Sequence, residues 1–222
     1  MTDQGKKISA YPGPAGSPIV YLNTFMEEES EKVRACLEQE PCPAHTLVTV
    51  SGIDWNDEMT PWYSAPLSKR DTACGGKADS YITWMEQELS PSIEGKLSEP
   101  PAYRIIAGYS LAGLFAAYSL YQTTLFRRAA CMSGSFWYPD FLEFAESHEL
   151  RQQPEFVYFS LGDKESRTRH PLMKQVGDRT QALAQVFQKK GIPTVFEWNP
   201  GNHFRDVELR TAKGIRRALQ GA

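Results

Sequence analysis

Short runs of β-branched and aromatic residues alternate with longer amphipathic stretches along this chain. Such runs are typical of strands, and apolar residues at helical spacing are typical of helices. Their alternation predicts an α/β fold with a mainly parallel sheet covered by helices on both faces. The predicted strands are 19–22, 46–50, 103–107, 129–132, 156–160 and 194–198, and the predicted helices are 27–38, 80–96, 111–121, 172–190 and 207–219.

Length and charge narrow the class of protein. At 222 residues the chain is long for one domain and short for two, so one domain over residues 1–222 is expected. A net charge of −3 without a basic, aromatic-rich stretch argues against nucleic-acid binding. No apolar run resembles a signal peptide or reaches the roughly 20 residues of a membrane helix. A cytoplasmic protein without a membrane partner is therefore predicted.

The cysteines give no sign of a metal site or a disulfide framework. Cys36, Cys42, Cys74 and Cys131 are scattered, with no CxxC pair among them. In a chain without an export signal they are predicted to be free thiols. No metal and no cofactor is expected, and the pattern specifies no oligomeric state.

Ser110 lies between the predicted strand 103–107 and the predicted helix 111–121, in the segment Gly-Tyr-Ser-Leu-Ala-Gly. A serine on a tight strand-to-helix turn projects its hydroxyl above the sheet edge, and small neighbours such as Gly108 and Ala112 let the strained turn pack closely. The first amides of the helix point to where negative charge would develop. Ser110 is therefore the candidate nucleophile.

His203 has the position expected of the base that such a serine needs. Of the four histidines, it alone follows the last predicted strand, 194–198, and precedes the last predicted helix. In hydrolases that carry the serine on this type of turn, the chain order is serine, acid, histidine. His203 satisfies that order with Ser110.

A carboxylate should follow the strand that lies between the serine and the histidine in the chain. Gly-Asp-Lys-Glu-Ser follows strand 156–160. Glu165, three residues after the glycine, is the favoured acid, and Asp163 is the alternative, whose other role would be to cap the turn after Gly162. The acid would orient His203 and stabilise its imidazolium form.

Two backbone amides are needed to bind the oxyanion that forms during acyl transfer. One is predicted to be that of Leu111, directly after the serine. The other should come from the loop after the early strand 19–22, where Thr24 and Phe25 are the candidates.

Taken together, these segments resemble the Putative esterase family, which includes enterochelin esterase, related trilactone esterases, feruloyl esterase domains and mycolyltransferases. The matching pieces, in family order, are 60–62, 75–76 followed by 81–93, 104–113, 133–137, 162–165 and 201–204. The resemblance implies an α/β-hydrolase fold and a Ser-acid-His enzyme acting on carboxylic esters, and its GxxE pattern favours Glu165. Two departures stand out: Tyr109 replaces a common histidine, and Leu22-Asn-Thr-Phe replaces a common Leu-Asp-Gly.

The segment 54–77 is expected to be a loop that covers the candidate site. It carries Trp55, Trp62, Tyr63 and Arg70, and Trp137 lies further along the chain. Trp62, Arg70 and Trp137 are the candidate substrate contacts, with the alternative that the aromatic residues only pack the loop on the sheet. The basic residues near the site, Lys69, Arg70, Arg167 and Arg169, would bind an anionic siderophore or form a solvated face.

The leading expectation is a serine esterase that forms an acyl-enzyme with a small-molecule ester, such as an aryl or siderophore-like ester. Two alternatives stay open. The same triad would serve an acyltransferase, and the fold would also suit a hydrolase-like binding protein without activity.

Overall fold

The computed structural model describes residues 2–3, 5–69 and 71–221, and ten strands occur among them. In chain order they are β1 (Thr2–Asp3), β2 (Lys6–Tyr11), β3 (Ile19–Asn23), β4 (Thr46–Ser51), β5 (Tyr63–Ser64), β6 (Cys74–Gly75), β7 (Arg104–Tyr109), β8 (Arg128–Met132), β9 (Phe156–Gly162) and β10 (Thr194–Asn199). Eight of them form one sheet in the order β1-β2-β4-β3-β7-β8-β9-β10, and β5 and β6 form a separate hairpin.

The sheet is mainly parallel, as the alternating pattern predicted. Strands β4, β3, β7, β8, β9 and β10 run parallel to one another. Strands β1 and β2 add antiparallel pairs at one edge, and these two were not expected. The sequence of β2, Lys-Lys-Ile-Ser-Ala-Tyr, has a single strongly apolar residue, Ile8, which is why no strand pattern stood out.

Eight α-helices accompany the strands in the described part of the chain. They are α1 (Glu27–Glu38), α2 (Trp55–Glu58), α3 (Ala78–Trp84), α4 (Ser90–Glu94), α5 (Leu111–Gln122), α6 (Phe141–Ser147), α7 (Val176–Lys189) and α8 (Val207–Gln220). The single helix predicted over 80–96 is divided, because a wider π-type turn, Met85–Leu89, separates α3 from α4. Pro91 explains the local widening, since proline has no amide hydrogen and its ring clashes with the carbonyl four residues earlier.

The helices cover both faces of the sheet. On one face, Tyr81 of α3, Phe115 of α5 and Phe187 of α7 belong to a cluster with strand residues such as Ile106. On the other face, helices α1 and α8 pack against strand residues that include Ile105. Neighbouring strand residues point to opposite faces, so Ile105 and Ile106 feed different layers. This three-layer arrangement is the α/β-hydrolase fold.

Other predicted elements need smaller corrections. The segment 54–77, expected as a loop, contains α2 and the β5–β6 hairpin. The helix predicted over 172–190 begins with a single 3₁₀ turn, Met173–Gln175, before α7. Helix α6 was not expected, because its seven residues are too few to show a clear period. No helix in the described ranges has the length and apolar character needed to cross a bilayer.

The carboxyl ends of the parallel strands meet at one edge, which is where such sheets bind ligands. The register aligns Asn23 of β3 with Gly108 of β7, and Gly162 of β9 with Asn199 of β10. The segments that follow these four residues therefore approach one another above the same edge.

Candidate active site

Ser110 occupies a strained turn between β7 and α5. Its backbone has φ +60° and ψ −122°, a conformation that side-chain-bearing residues rarely adopt. Gly108 makes the turn possible, because a Cβ there would collide with the backbone and side chain of Ala112. The Ser110 amide donates to the Met132 carbonyl at 3.1 Å, which ties the turn to β8. The hydroxyl is thereby held above the sheet edge.

His203 lies beside this hydroxyl, in the loop between β10 and α8. Its Nε2 is 3.0 Å from Ser110 Oγ, so the hydroxyl is placed to donate to the ring. The side chain is 28% exposed, which leaves one edge of the ring open to a ligand. The backbone carbonyl of His203 accepts a 2.8 Å hydrogen bond from Tyr109, the residue before the serine.

Glu165 contacts the other nitrogen of the ring. Its Oε2 is 2.7 Å from His203 Nδ1, while its Oε1 accepts from Ser133 Oγ at 2.7 Å and from the Gly162 amide at 2.6 Å. Burial acts to raise the pKa of this carboxyl, but these hydrogen bonds outweigh it and hold the pKa below its ordinary value. With 3% of its side chain exposed, Glu165 is a buried carboxylate that fixes the orientation of the ring.

Asp163, the alternative acid, contacts the Gly201 amide and not His203. Its Oδ1 accepts a 2.7 Å hydrogen bond from the Gly201 amide. The Asp163 amide donates to the Asn199 carbonyl at 2.8 Å. Asp163 thus joins the loop after β9 to the loop after β10, which differs from the role of capping the turn after Gly162.

Two further residues, Ser133 and Arg210, shape the site, and the sequence pattern did not indicate their contacts. Ser133, which follows β8 and is buried with φ +45°, donates to Glu165. Arg210 of α8, with 4% of its side chain exposed, donates to Tyr109 Oη at 3.1 Å and to two carbonyls of the loop that carries His203. Its Nη1 also lies 3.4 Å from Glu165 Oε1. Arg210 therefore connects the segments that carry the serine, the glutamate and the histidine.

The predicted oxyanion donors differ in availability. As the first residue of α5, Leu111 has an amide without a partner inside its helix. The Thr24 amide donates to the Val50 carbonyl at 2.9 Å and is engaged in the sheet. The Phe25 amide donates to the Glu29 carboxylate at 3.0 Å. A side chain is more readily displaced than a sheet carbonyl, so Phe25 is the better of the two candidates.

The predicted substrate contacts are separated by the structure. Trp137 lines a small cavity with Ser110 and His203. Trp62 instead packs among aromatic rings and donates to the Pro139 carbonyl at 3.1 Å, away from the cavity walls. Arg70 lies outside the described residues. From the same segment, Trp55 lines the larger cavity beside Ser110, so part of 54–77 reaches the site.

The other histidines have partners elsewhere. His45 Nδ1 lies 2.8 Å from the Pro43 carbonyl, His148 stacks on Phe144, and His170 Nε2 lies 3.1 Å from the Leu67 carbonyl. Within residues 2–3, 5–69 and 71–221, no three His, Cys, Asp or Glu side chains gather as the ligands of one metal ion would.

The model of the family described as Putative esterase matches residues 26–206 of this chain. The chain belongs to that family. The matched range includes Ser110, Glu165 and His203, the three side chains that hydrogen bonds connect in the site. This member of the family is accordingly an esterase.

Relatives of this esterase include the Uncharacterized protein YbbA of Bacillus subtilis (strain 168), 26% identical over 182 residues that cover 79% of this chain and 73% of that protein. An IroE-like serine hydrolase from Shewanella oneidensis is similar in structure, with a TM-score of 0.80, 19% identity and coverage of 95% of this chain and 74% of that chain. The siderophore hydrolase EstA of Aspergillus nidulans is also similar in structure, with a TM-score of 0.71 and 17% identity. The match covers 95% of this chain and 88% of that chain.

Proposed function

We propose that this esterase cleaves carboxylic esters through an acyl-enzyme on Ser110, with His203 as base and then acid, and Glu165 as the orienting carboxylate. The observation that carries this proposal is the continuous pair of hydrogen bonds, 3.0 Å from Ser110 to His203 and 2.7 Å from His203 to Glu165. It occurs on a strained strand-to-helix turn of a chain that belongs to an esterase family.

In the first half of the reaction, Ser110 Oγ attacks the ester carbonyl carbon as its proton passes to His203 Nε2. The carbonyl oxygen gains the negative charge and binds the Leu111 amide, with Phe25 as the second donor once the oxyanion displaces the Glu29 carboxylate. Collapse of the tetrahedral intermediate breaks the bond to the alcohol oxygen. That oxygen takes the proton from His203 and leaves, with the acyl group bound to Ser110.

In the second half, water takes the place of the alcohol. His203 Nε2 accepts a proton from the water while the water oxygen attacks the acyl carbon. The second tetrahedral intermediate then collapses, Ser110 Oγ takes the proton back from His203, and the carboxylic acid is released. Glu165 remains ionised in both halves, because its carboxylate stabilises the imidazolium and does not take the proton. The low pKa of this carboxyl supports that role.

The test combines para-nitrophenyl acetate hydrolysis with labelling by a fluorophosphonate probe, which reacts with activated serines. We expect Ser110→Ala to abolish labelling and to lower kcat by about 10⁴- to 10⁶-fold. Ser135→Ala is the matched control, because Ser135 Oγ lies only 3.4 Å from Ser110 Oγ. Labelling that survives Ser110→Ala and disappears in Ser135→Ala would refute the assignment of the nucleophile.

A further inference from the structure

Two cavities of unequal size flank Ser110 and His203. The larger has a volume of about 360 Å³ and the smaller about 80 Å³, and both residues line both cavities. The smaller cavity has less than a quarter of the volume of the larger one, so it suits the shorter of two groups. An ester carbonyl has two arms, the acyl chain and the alcohol. With the carbonyl at Ser110, one arm would enter each cavity.

The wall of the larger cavity is mostly apolar. Six apolar side chains contribute to it: Leu22, Phe25, Val33, Trp55, Phe204 and Val207. Two of these, Phe25 and Phe204, are 55% and 85% exposed. Large apolar side chains left exposed around a cavity are typical of a surface that becomes covered by a ligand. An apolar arm would bury both rings.

The charges in this wall are negative. Glu29 and Glu208 are the carboxylates that line the larger cavity, and no lysine or arginine of the described residues lines either cavity. Lys32 partly offsets Glu208, with its Nζ 3.5 Å from the carboxylate, but Lys32 is 65% exposed and screened by solvent. Lys69, Arg167 and Arg169, the basic residues considered for an anionic substrate, are exposed outside the two walls.

We infer that the substrates are esters with one short arm and one bulky apolar arm that is neutral or cationic, and that Glu29 and Glu208 select against anionic esters. The inference rests on the proposed function, since it assigns the cavities beside the proposed nucleophile. An anionic group in the larger cavity would be repelled by two carboxylates in a partly desolvated wall, where charges interact more strongly than in water. Anionic catecholate siderophores are therefore poor substrates.

A charge series of aryl acetates tests the selection. The neutral para-acetylphenyl acetate, the anionic para-carboxyphenyl acetate and the cationic para-trimethylammoniophenyl acetate share the acetyl arm and the ring. Dividing each kcat/KM by the rate constant for hydroxide hydrolysis of the same ester removes differences in intrinsic reactivity. We expect the anionic ester to be at least about tenfold poorer than the neutral one, and the gap to shrink as salt is added.

Variants then assign the selection to the two carboxylates. Glu29→Gln and Glu208→Gln should each reduce the gap, which is the ratio of corrected kcat/KM between the neutral and the anionic ester, by about threefold. Glutamine keeps an oxygen that accepts from the Phe25 amide, so Glu29→Gln preserves the cap of α1. Glu28→Gln removes the same charge from the same helical turn at an exposed residue outside the cavity wall, and should leave the gap unchanged.

The arms are tested with para-acetylphenyl phenylacetate, in which both arms are bulky. Its kcat/KM, corrected for hydroxide hydrolysis in the same way, should be at least about tenfold lower than that of para-acetylphenyl acetate. The reason is that one aromatic arm must enter the small cavity.

Equal or better hydrolysis of the anionic ester would overturn the inference about charge, and so would a gap unchanged in both cavity variants. Equal hydrolysis of the doubly bulky ester would overturn the inference about size. Failure of the proposed function looks different, because then none of the esters is hydrolysed and the fluorophosphonate leaves Ser110 unlabelled.

Discussion

The two sides of Ser110 are built in different ways. On the histidine side, Glu165 accepts hydrogen bonds from His203, Ser133 and the Gly162 amide, and the side chain is almost fully buried. On the side of the loop after β3, the Phe25 amide is held by the carboxylate of Glu29, a partly exposed side chain. One side is complete before a ligand arrives, and the other must exchange a partner to receive one.

This difference suggests that the buried side and the open side of Ser110 serve different requirements of an esterase. In the mechanism that we propose, proton transfer needs fixed distances, and a buried network with partners from four strand ends is suited to hold them. The proposed oxyanion binding and the fit of the substrate need access, which the open wall provides. Changes on the buried side should therefore lower kcat, whereas changes on the open side should alter substrate preference.

The sharpest test of the buried side compares two carboxylates two residues apart. We expect Glu165→Gln to lower kcat by about 10²- to 10⁴-fold, because the neutral amide neither orients the correct ring tautomer of His203 nor stabilises its cation. Asp163→Asn should lower kcat less than about threefold and cost about 1 kcal/mol of stability or less, since the asparagine oxygen still accepts from the Gly201 amide.

The measurements are steady-state kinetics with para-nitrophenyl acetate and urea unfolding of both variants. Circular dichroism of Glu165→Gln separates a lost orientation from a lost fold. If Asp163→Asn proved the more damaging to kcat in a folded protein, the two carboxylates would have to exchange roles.

A second test asks whether the buried side extends beyond the three side chains. Tyr109 Oη donates to the His203 carbonyl at 2.8 Å and accepts from Arg210 at 3.1 Å. Tyr109→Phe removes both bonds, and we expect kcat to fall by about threefold to tenfold with little change in KM, as for the loss of one or two ordinary hydrogen bonds.

Tyr103→Phe is the matched control for that test, because Tyr103 lies just before β7, at the opposite end from Ser110, and its hydroxyl donates to the Leu219 carbonyl at 3.2 Å. A Tyr109→Phe variant that raises KM and spares kcat would mean that Tyr109 binds substrate and does not position His203.

Much of this arrangement was predictable from the sequence, for a local reason. Ser110, Glu165 and His203 each follow a strand of a parallel sheet, and the ends of such strands meet at one edge. The contacts of Arg210 and Ser133 were not predictable, because they depend on how α8 and the end of β8 pack against distant loops. The engagement of the Thr24 amide likewise depends on the β3–β4 register, which extends one residue beyond the predicted strand.

Aromatic residues show the same limit. Trp62 and Trp137 were both candidate substrate contacts, and Trp55 was noted only as an aromatic residue of the segment 54–77. Packing separates them, since Trp62 is enclosed by rings from α5 and α6 while the other two reach the cavities. A composition rich in aromatics predicts neither outcome, because both a core and a ligand wall use the same side chains.

The smallest expected effect is on the pH dependence of stability, and it also distinguishes a buried carboxylate from an exposed one. Hydrogen bonds hold the pKa of Glu165 below its ordinary value of 4.5 despite burial. A carboxyl with a lowered pKa in the folded state stabilises the fold above the pKa of the unfolded chain, and that contribution is lost as pH falls through the folded value. The free energy of unfolding of the unchanged protein should therefore exceed that of the Glu165→Gln variant by more at pH 7 than at pH 4.

Urea unfolding of both proteins at the two pH values measures this change in relative stability. The change should persist in 0.5 M salt, because buried contacts are weakly screened. An equal gap at both pH values would show that the Glu165 network does not favour the ionised form.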